Sequence, residues 1–289
     1  MKTGDFLKQM LKPGMGILIL FLVFAFNGRN SNPFEIINAG LTQYSPNEEK
    51  PILSSHNQTA FKRKKKITYR IHYGFMDAAI ASLEIKEENK QIGGRNTFHV
   101  VGLGITKGSF DWFFKVRDRY ETYMDEEAIL PWVFIRRVDE GGYKFQQNQV
   151  YNHYKNQVDA DGKIFTTPEN IQDMLSAFYF ARTYDFTNAQ KGDLFAVTTF
   201  MDNEIWDLKI KFVGREVIKT DLGRIKCLKF VPVVQKGRIF KSEEDLKIWI
   251  SDDVNKIPVR GQCELVVGSL KMDIIEAKGL MQPLTIVKK

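Results

Sequence analysis

The sequence predicts an all-β protein: a large curved antiparallel sheet or open half-barrel with one main α-helix. Three patterns predict it. Apolar residues recur with period two over most of residues 67–280. Gly93-Gly94, Gly141-Gly142 and Asp161-Gly162 fall between the alternating runs, as hairpin turns require. One segment, 168–182, breaks the period and places Ile171, Met174, Leu175, Phe178 and Tyr179 at helical spacing. Alternation gives a strand one buried and one wet face, which suits antiparallel rather than parallel sheets. With 43% hydrophobic and 27% charged residues among 289, the chain can build a real core and is not a disordered or collagen-like polymer.

Taken in chain order, residues 1–16 are polar and basic and residues 17–26, ILILFLVFAF, are uninterruptedly apolar. This pattern reads as a signal peptide over 1–25, with Val23 and Ala25 placed for cleavage after Ala25. Ten helical residues reach about 15 Å, half of a hydrocarbon core about 30 Å thick, which disfavours a permanent span. Bulky Phe24 and Phe26 keep an uncleaved anchor as the alternative. No Cys adjoins the leader, so an exported, periplasmic protein without a lipid anchor is expected. Residues 26–66 read as a flexible linker closed by the basic cluster Lys62, Arg63, Lys64, Lys65 and Lys66. That cluster is a solvated run or a peripheral contact with an anionic membrane surface.

Ile67, Tyr69, Ile71 and Tyr73 open a single β-rich domain over 67–280, and Ala79, Ala81, Leu83 and Ile85 continue it. Trp206, Leu208, Ile210 and Phe212 mark the clearest strand, and about a dozen strands are expected. Thr167-Pro168 reads as the cap and first position of the helix, and 108–114 as a second short turn. Residues 281–289 read as a tail. Cys227 and Cys263 fall on the first and third strands of a meander, about 10 Å apart and beyond disulfide reach, so two free buried thiols are expected.

The net charge of +7 is local: residues 1–25 carry +2, 26–61 carry −1 and 62–66 carry +5, which leaves +1 for 67–289. A near-neutral body argues against nucleic acid as a partner. The strings FKVRDRYETYMD (114–125), PWVFIRRVDEGGY (131–143), DMLSAFYFAR (173–182), GRIFKSEEDLKIWISDDVNKIPV (237–259) and VGSLKMDI (267–274) occur in this order. Together they resemble the bacterial domain-of-unknown-function family numbered 3108, over about residues 67–279. The resemblance implies an exported all-β envelope domain, similar to the lipoprotein-carrier half-barrels. It carries over no catalytic residue.

No catalytic set assembles in the sequence. His56, His72, His99 and His153 lie far apart, no G-x-S-x-G elbow supports Ser109 or Ser176, and GLGITKG (102–108) is no phosphate loop. Asp252-Asp253 with Asn255 reads as turn chemistry rather than a calcium loop. Metal and cofactor are therefore expected to be absent, and the protein is expected not to be an enzyme. The informative strand is 116–124, where Val116, Asp118, Tyr120, Thr122 and Met124 share the more apolar face. A buried carboxylate needs a partner, and Arg136 and Arg182 are the candidates. Glu121 belongs to the opposite face, which makes it a poor second carboxylate for glycoside hydrolysis. The amide- and Tyr-rich stretch 143–154 reads as a long exposed hairpin with a sugar-binding alternative.

The leading expectation is a non-enzymatic carrier for an apolar or amphipathic, lipid-like envelope molecule. The concave sheet and aromatics, Trp112 among them, would line its apolar part. Asp118, Tyr120, Arg136, Tyr179 and Arg182 would meet the polar end. The alternative is a structural or assembly factor of the envelope, binding a protein or polysaccharide through 143–154.

Overall fold

The computed structural model describes residues 52–233, 245–264 and 268–288; the signal-peptide reading lies outside them. Fourteen strands form one sheet: β1 (Lys65–Tyr73), β2 (Met76–Ile92), β3 (Arg95–Thr106), β4 (Arg117–Asp125), β5 (Pro131–Glu140), β6 (Tyr143–Asn152), β7 (Gln157–Ala160), β8 (Lys163–Thr166), β9 (Leu194–Met201), β10 (Glu204–Thr220), β11 (Gly223–Pro232), β12 (Leu246–Ser251), β13 (Pro258–Glu264) and β14 (Ser269–Lys278). Short α1 (Gly108–Phe113) follows β3, and α2 (Met174–Ala181) lies between β8 and β9. The spatial order is β8-β7-β6-β5-β4-β3-β2-β1-β14-β13-β12-β11-β10-β9. Every neighbouring pair along it is antiparallel, as the period-two pattern predicts. Among the described residues the single out-of-sequence pairing is β1 with β14, so the sheet is two meanders zipped together at its middle.

The long sheet curls until its edges approach. Phe165 on β8 and Phe200 on β9 meet with ring centroids 5.1 Å apart. The free edge of β9 is taken by Gln172, whose N–H donates to Thr198 O at 3.0 Å and whose carbonyl accepts from Phe200 N at 2.8 Å. Covering an edge this way removes a template for unwanted pairing. The main core lies on the inner face, where Ile67, Tyr69, Ile85, Val100, Met124 and Phe134 are closed over by Leu175 and Tyr179 of α2.

The helix begins at Met174, six residues later than Thr167-Pro168 suggests. Asn170 has a left-handed φ of 58°, which breaks the turn ahead of it. Asp173 is the true cap: its Oδ1 accepts from Leu175 N and Ser176 N at 2.7 Å, and Ser176 Oγ accepts from Asp173 N at 2.8 Å. This is a capping box with Ser in place of Glu. The other carboxyl oxygen accepts from Thr122 Oγ1 at 2.5 Å, which ties the helix start to β4. Burial pushes the Asp173 carboxyl up to about 6 although these bonds favour its anion.

Other readings are corrected by the fold. The segment ahead of the first strand is not free throughout: Ala60 and Phe61 are core residues, and Lys65 is a buried member of β1. The stretch 143–154 is not an exposed hairpin, because Phe145, Gln147, Asn148, Gln149, Val150 and Tyr151 are buried. Phe145, Gln147, Gln149 and Tyr151 face inside toward the opposite limb of the curled sheet, while Val150 packs with Tyr123 and Val133 on the other face. Trp206 and Leu208 begin a real strand but are exposed on it. The tail packs as well: Val287 N donates to Arg224 O at 2.7 Å. Cys227 and Cys263 are free and buried, on β11 and β13 with β12 between them.

Asp173→Ala is expected to cost about 2–4 kcal/mol in urea unfolding, because it removes the cap and strands the Thr122 hydroxyl. Asp173→Asn, which keeps a cap acceptor, costs less. A loss under about 0.5 kcal/mol for the Ala variant would show that the helix is held by apolar contact alone.

Candidate functional site

Asp118 does point inward, as its alternation with Tyr120 and Thr122 requires, and it is 2% exposed. Its partner is not Arg136. The start of β4 lies beside the end of β5, where Val116 bridges Glu140, and this places a second buried carboxyl against it. Asp118 Oδ1 accepts from Asp139 N at 3.1 Å. Burial, then the charge and hydrogen bond of Glu140, raise the Asp118 carboxyl well above the usual carboxylate range. Two ionised carboxyls buried side by side repel, so Asp118, whose Oδ2 finds no hydrogen-bond partner, is pushed toward its protonated form by Glu140. The alternation Trp132, Phe134, Arg136, Val138 already points to Glu140 as the next inward residue of β5.

Arg136, opposite Tyr120 in the β4–β5 register, reaches across the interior. Its Nη1 donates to Asp202 Oδ1 at 2.8 Å, and its guanidinium lies 4.9 Å from the Phe145 ring and 5.9 Å from Tyr120. Burial raises the Asp202 carboxyl to about 6, against the pull of Arg136. Asp202 and Asn203 form the β9–β10 turn with left-handed φ values of 50° and 65°, which Asp and Asn tolerate at low cost. Asn203 accepts from Gln147 at 3.3 Å, Gln147 from Gln149 at 3.1 Å, and Gln149 from Tyr151 at 2.6 Å. The amides read as a sugar face are therefore an internal polar seam that joins the two limbs of the sheet.

Arg182 and Tyr179 belong to a different cluster. Arg182 Nη2 donates to Ala60 O and to Asn255 O, each at 2.7 Å. Its guanidinium is packed among the rings of Phe61 (4.9 Å), Tyr179 (5.1 Å) and Phe178 (5.4 Å). Lys65 Nζ donates to the same Ala60 O at 3.2 Å. Burial, then the charge of Arg182, lower the Lys65 ammonium to about 5, so it is neutral at pH 7. Burial lowers Arg182 to about 10, still protonated at neutral pH. In the expected basic cluster, Arg63 is likewise engaged, with Glu126, Glu88 O and Thr97 O, while Lys62, Lys64 and Lys66 face outward.

Trp112 lines no inner site; it stands on α1 and is almost wholly exposed. Glu121 faces the outer side, with its Oε2 2.7 Å from His99 Nε2, and His99 also contacts Glu88 and stacks on Tyr123. Asp253 serves its turn: Oδ1 accepts from Ser251 Oγ at 2.8 Å and from Asn255 N at 3.0 Å.

A ligand-sized space lies elsewhere than the sequence placed it. Leu222, Ala277, Gly279, Leu280, Met281, Gln282, Pro283, Leu284 and Ile286 wall an open groove of about 450 Å³. The strap 279–286 that makes it is anchored by Asn255, whose Nδ2 donates to Gln282 O at 3.0 Å and whose Oδ1 accepts from Met281 N at 3.1 Å. Gly279 (φ 66°) is obligatory, since a Cβ there would sit 2.1 Å from Lys64 O. One residue, Asn255, thus connects the groove wall to Arg182.

Because folded Asp118 keeps a proton that the unfolded chain releases, its contribution to stability falls as pH rises. The slope is at most about 1.4 kcal/mol per pH unit above the ordinary carboxylate pKa. Urea unfolding of wild type and Asp118→Asn at about pH 5 and about pH 9 tests this. The variant is expected to gain relative to wild type at the higher pH, because its amide stays uncharged beside Glu140 at every pH. An unchanged difference between the two pH values would refute the protonated Asp118.

Comparison with known proteins places the chain in a family. No curated protein sequence matches it. Among solved structures it is similar to a β-barrel-like protein of domain family DUF1849 from Brucella abortus, at 8% identity and a TM-score of 0.48, covering 79% of this chain and 99% of that one. A DUF1089 family protein from Pseudomonas aeruginosa gives 8% identity and a TM-score of 0.37, covering 65% and 90%. The Mycobacterium tuberculosis lipoprotein LppX gives 11% identity and a TM-score of 0.15, covering 79% and 92%. The family described as Protein of unknown function (DUF3108) matches residues 68–275, and with that span of the sheet matched the chain belongs to it.

Proposed function

We propose that the protein is an exported, non-enzymatic carrier for an amphipathic, lipid-like molecule of the cell envelope, bound in the groove beside the strap 279–286. The observation that carries this reading is the groove itself. It has the size of a small-molecule site and a wall dominated by Leu222, Ala277, Leu280, Pro283, Leu284 and Ile286. Leu222, Ala277, Leu280 and Leu284 also pack on the main core, so the floor is preformed. The backbone groups and Gln282 of the strap offer polar contacts at its rim. The leader and the absence of a Cys beside it support export to the periplasm. The inner face is occupied by α2 and the polar seam, so the ligand space moves from the concave face to the groove.

Native mass spectrometry with lipid extraction, on protein purified from its own envelope without detergent, tests the reading. A stoichiometric amphipathic adduct is expected. Ile286→Glu, at a half-exposed position of the wall, is expected to lower its occupancy at least about tenfold while shifting Tm by no more than about 2 °C. A clean apo mass from folded protein, or an adduct indifferent to Ile286→Glu, overturns the assignment.

A further inference from the structure

We propose that the end of the sheet formed by the β1–β2 turn and α1 docks on a lipid bilayer with anionic head groups. Phe75, at the apex of the β1–β2 turn, is 94% exposed, and Trp112, on α1, is 90% exposed. Met76, Ile105 and Phe113 around them are also exposed. These segments form one surface. Lys107 N donates to Ala78 O at 3.0 Å, and the rings of Tyr73 and Phe110 lie 6.0 Å apart. None of the α1 residues is buried. A six-residue helix with no buried residue is too short to persist alone. Here it is braced from its base: Asp111 accepts from Thr106 Oγ1 at 2.7 Å and pairs with Arg117 at 2.6 Å.

Such bracing holds two large aromatics clear of the body, where neither contributes to the core. The occupant follows from shape and charge. Exposed Lys107 and Lys115 bracket α1, and its one acid, Asp111, is neutralised by Arg117. Protruding Trp and Phe with flanking lysines match a bilayer interface, whose acyl boundary receives the rings while its head groups meet the ammonium groups. A protein partner selects instead for anchors set within a surrounding ring of partly covered contacts. This surface is separate from the groove, and its test does not depend on the carrier reading.

The test uses the protein as purified from cells and vesicles of phosphatidylglycerol with phosphatidylethanolamine, with brominated acyl chains as quencher. The readout is the Trp112 emission, taken as the difference between wild type and Trp112→Phe. The apolar run 17–26 can bring the protein to vesicles without quenching that residue, so bound protein alone decides nothing. Quenching of Trp112 by at least about twofold is expected, and Phe75→Ser is expected to reduce it. Lys107→Glu with Lys115→Glu is expected to raise the half-saturating lipid concentration at least about tenfold. All four substituted positions are exposed, so unfolding midpoints should not move. Unquenched Trp112 on vesicle-bound protein overturns the proposal. So does self-association that Trp112→Phe abolishes in the absence of lipid, which would assign the surface to a second copy of the chain.

Discussion

The Asp173 carboxylate is the contact on which the arrangement depends. A sheet of fourteen alternating strands has an apolar inner face far larger than an eight-residue helix can cover, unless the helix is held at one place and angle. Asp173 supplies that constraint by capping α2 with one oxygen and gripping Thr122 of β4 with the other. The far end of α2 then lies where Arg182 can join Ala60 O to Asn255 O. Asn255 in turn holds Met281 and Gln282, and with them the strap that walls the groove. The candidate binding surface is thus built at the end of a chain of hydrogen bonds that starts inside the sheet.

A second constraint sets the curvature. Arg136–Asp202 and Gln147–Asn203 pull the β9–β10 turn onto the inner faces of β5 and β6. Burying these groups is costly, but each is paired across the interior, and the pairs fix how far the sheet rolls. Apolar faces alone specify curling; the polar seam specifies its extent. The consequence for function is direct. The interior is used here for closure, and the groove of the proposed site lies at the strap.

Much of this was legible in the sequence. The period-two runs predict the strands and their antiparallel pairing, because a strand with one wet face must alternate. The inward direction of Asp118 follows from the same rule, as does the separation of Cys227 from Cys263. What failed needed long-range information. No local signal shows that Asp202 opposes Arg136, because 66 residues separate them and the contact exists only once the sheet has curled. Gln147 and Gln149 look solvent-seeking until the opposite limb arrives. Thr167-Pro168 has the composition of a cap, but Asn170 in a left-handed conformation defers the helix start to Asp173. Glu140 lay within reach of the alternation argument, one step beyond Val138 on the same face.

Hydrogen exchange of the ligand-loaded protein against the delipidated protein tests the central claim most directly, that binding takes place at the strap and not on the inner face. The account predicts added amide protection over residues 277–286 and at Asn255, with β4 and β5 unchanged. Protection gained instead along 118–124 and 132–138, with the strap exchanging at its free rate, would contradict it and return the ligand to the concave face.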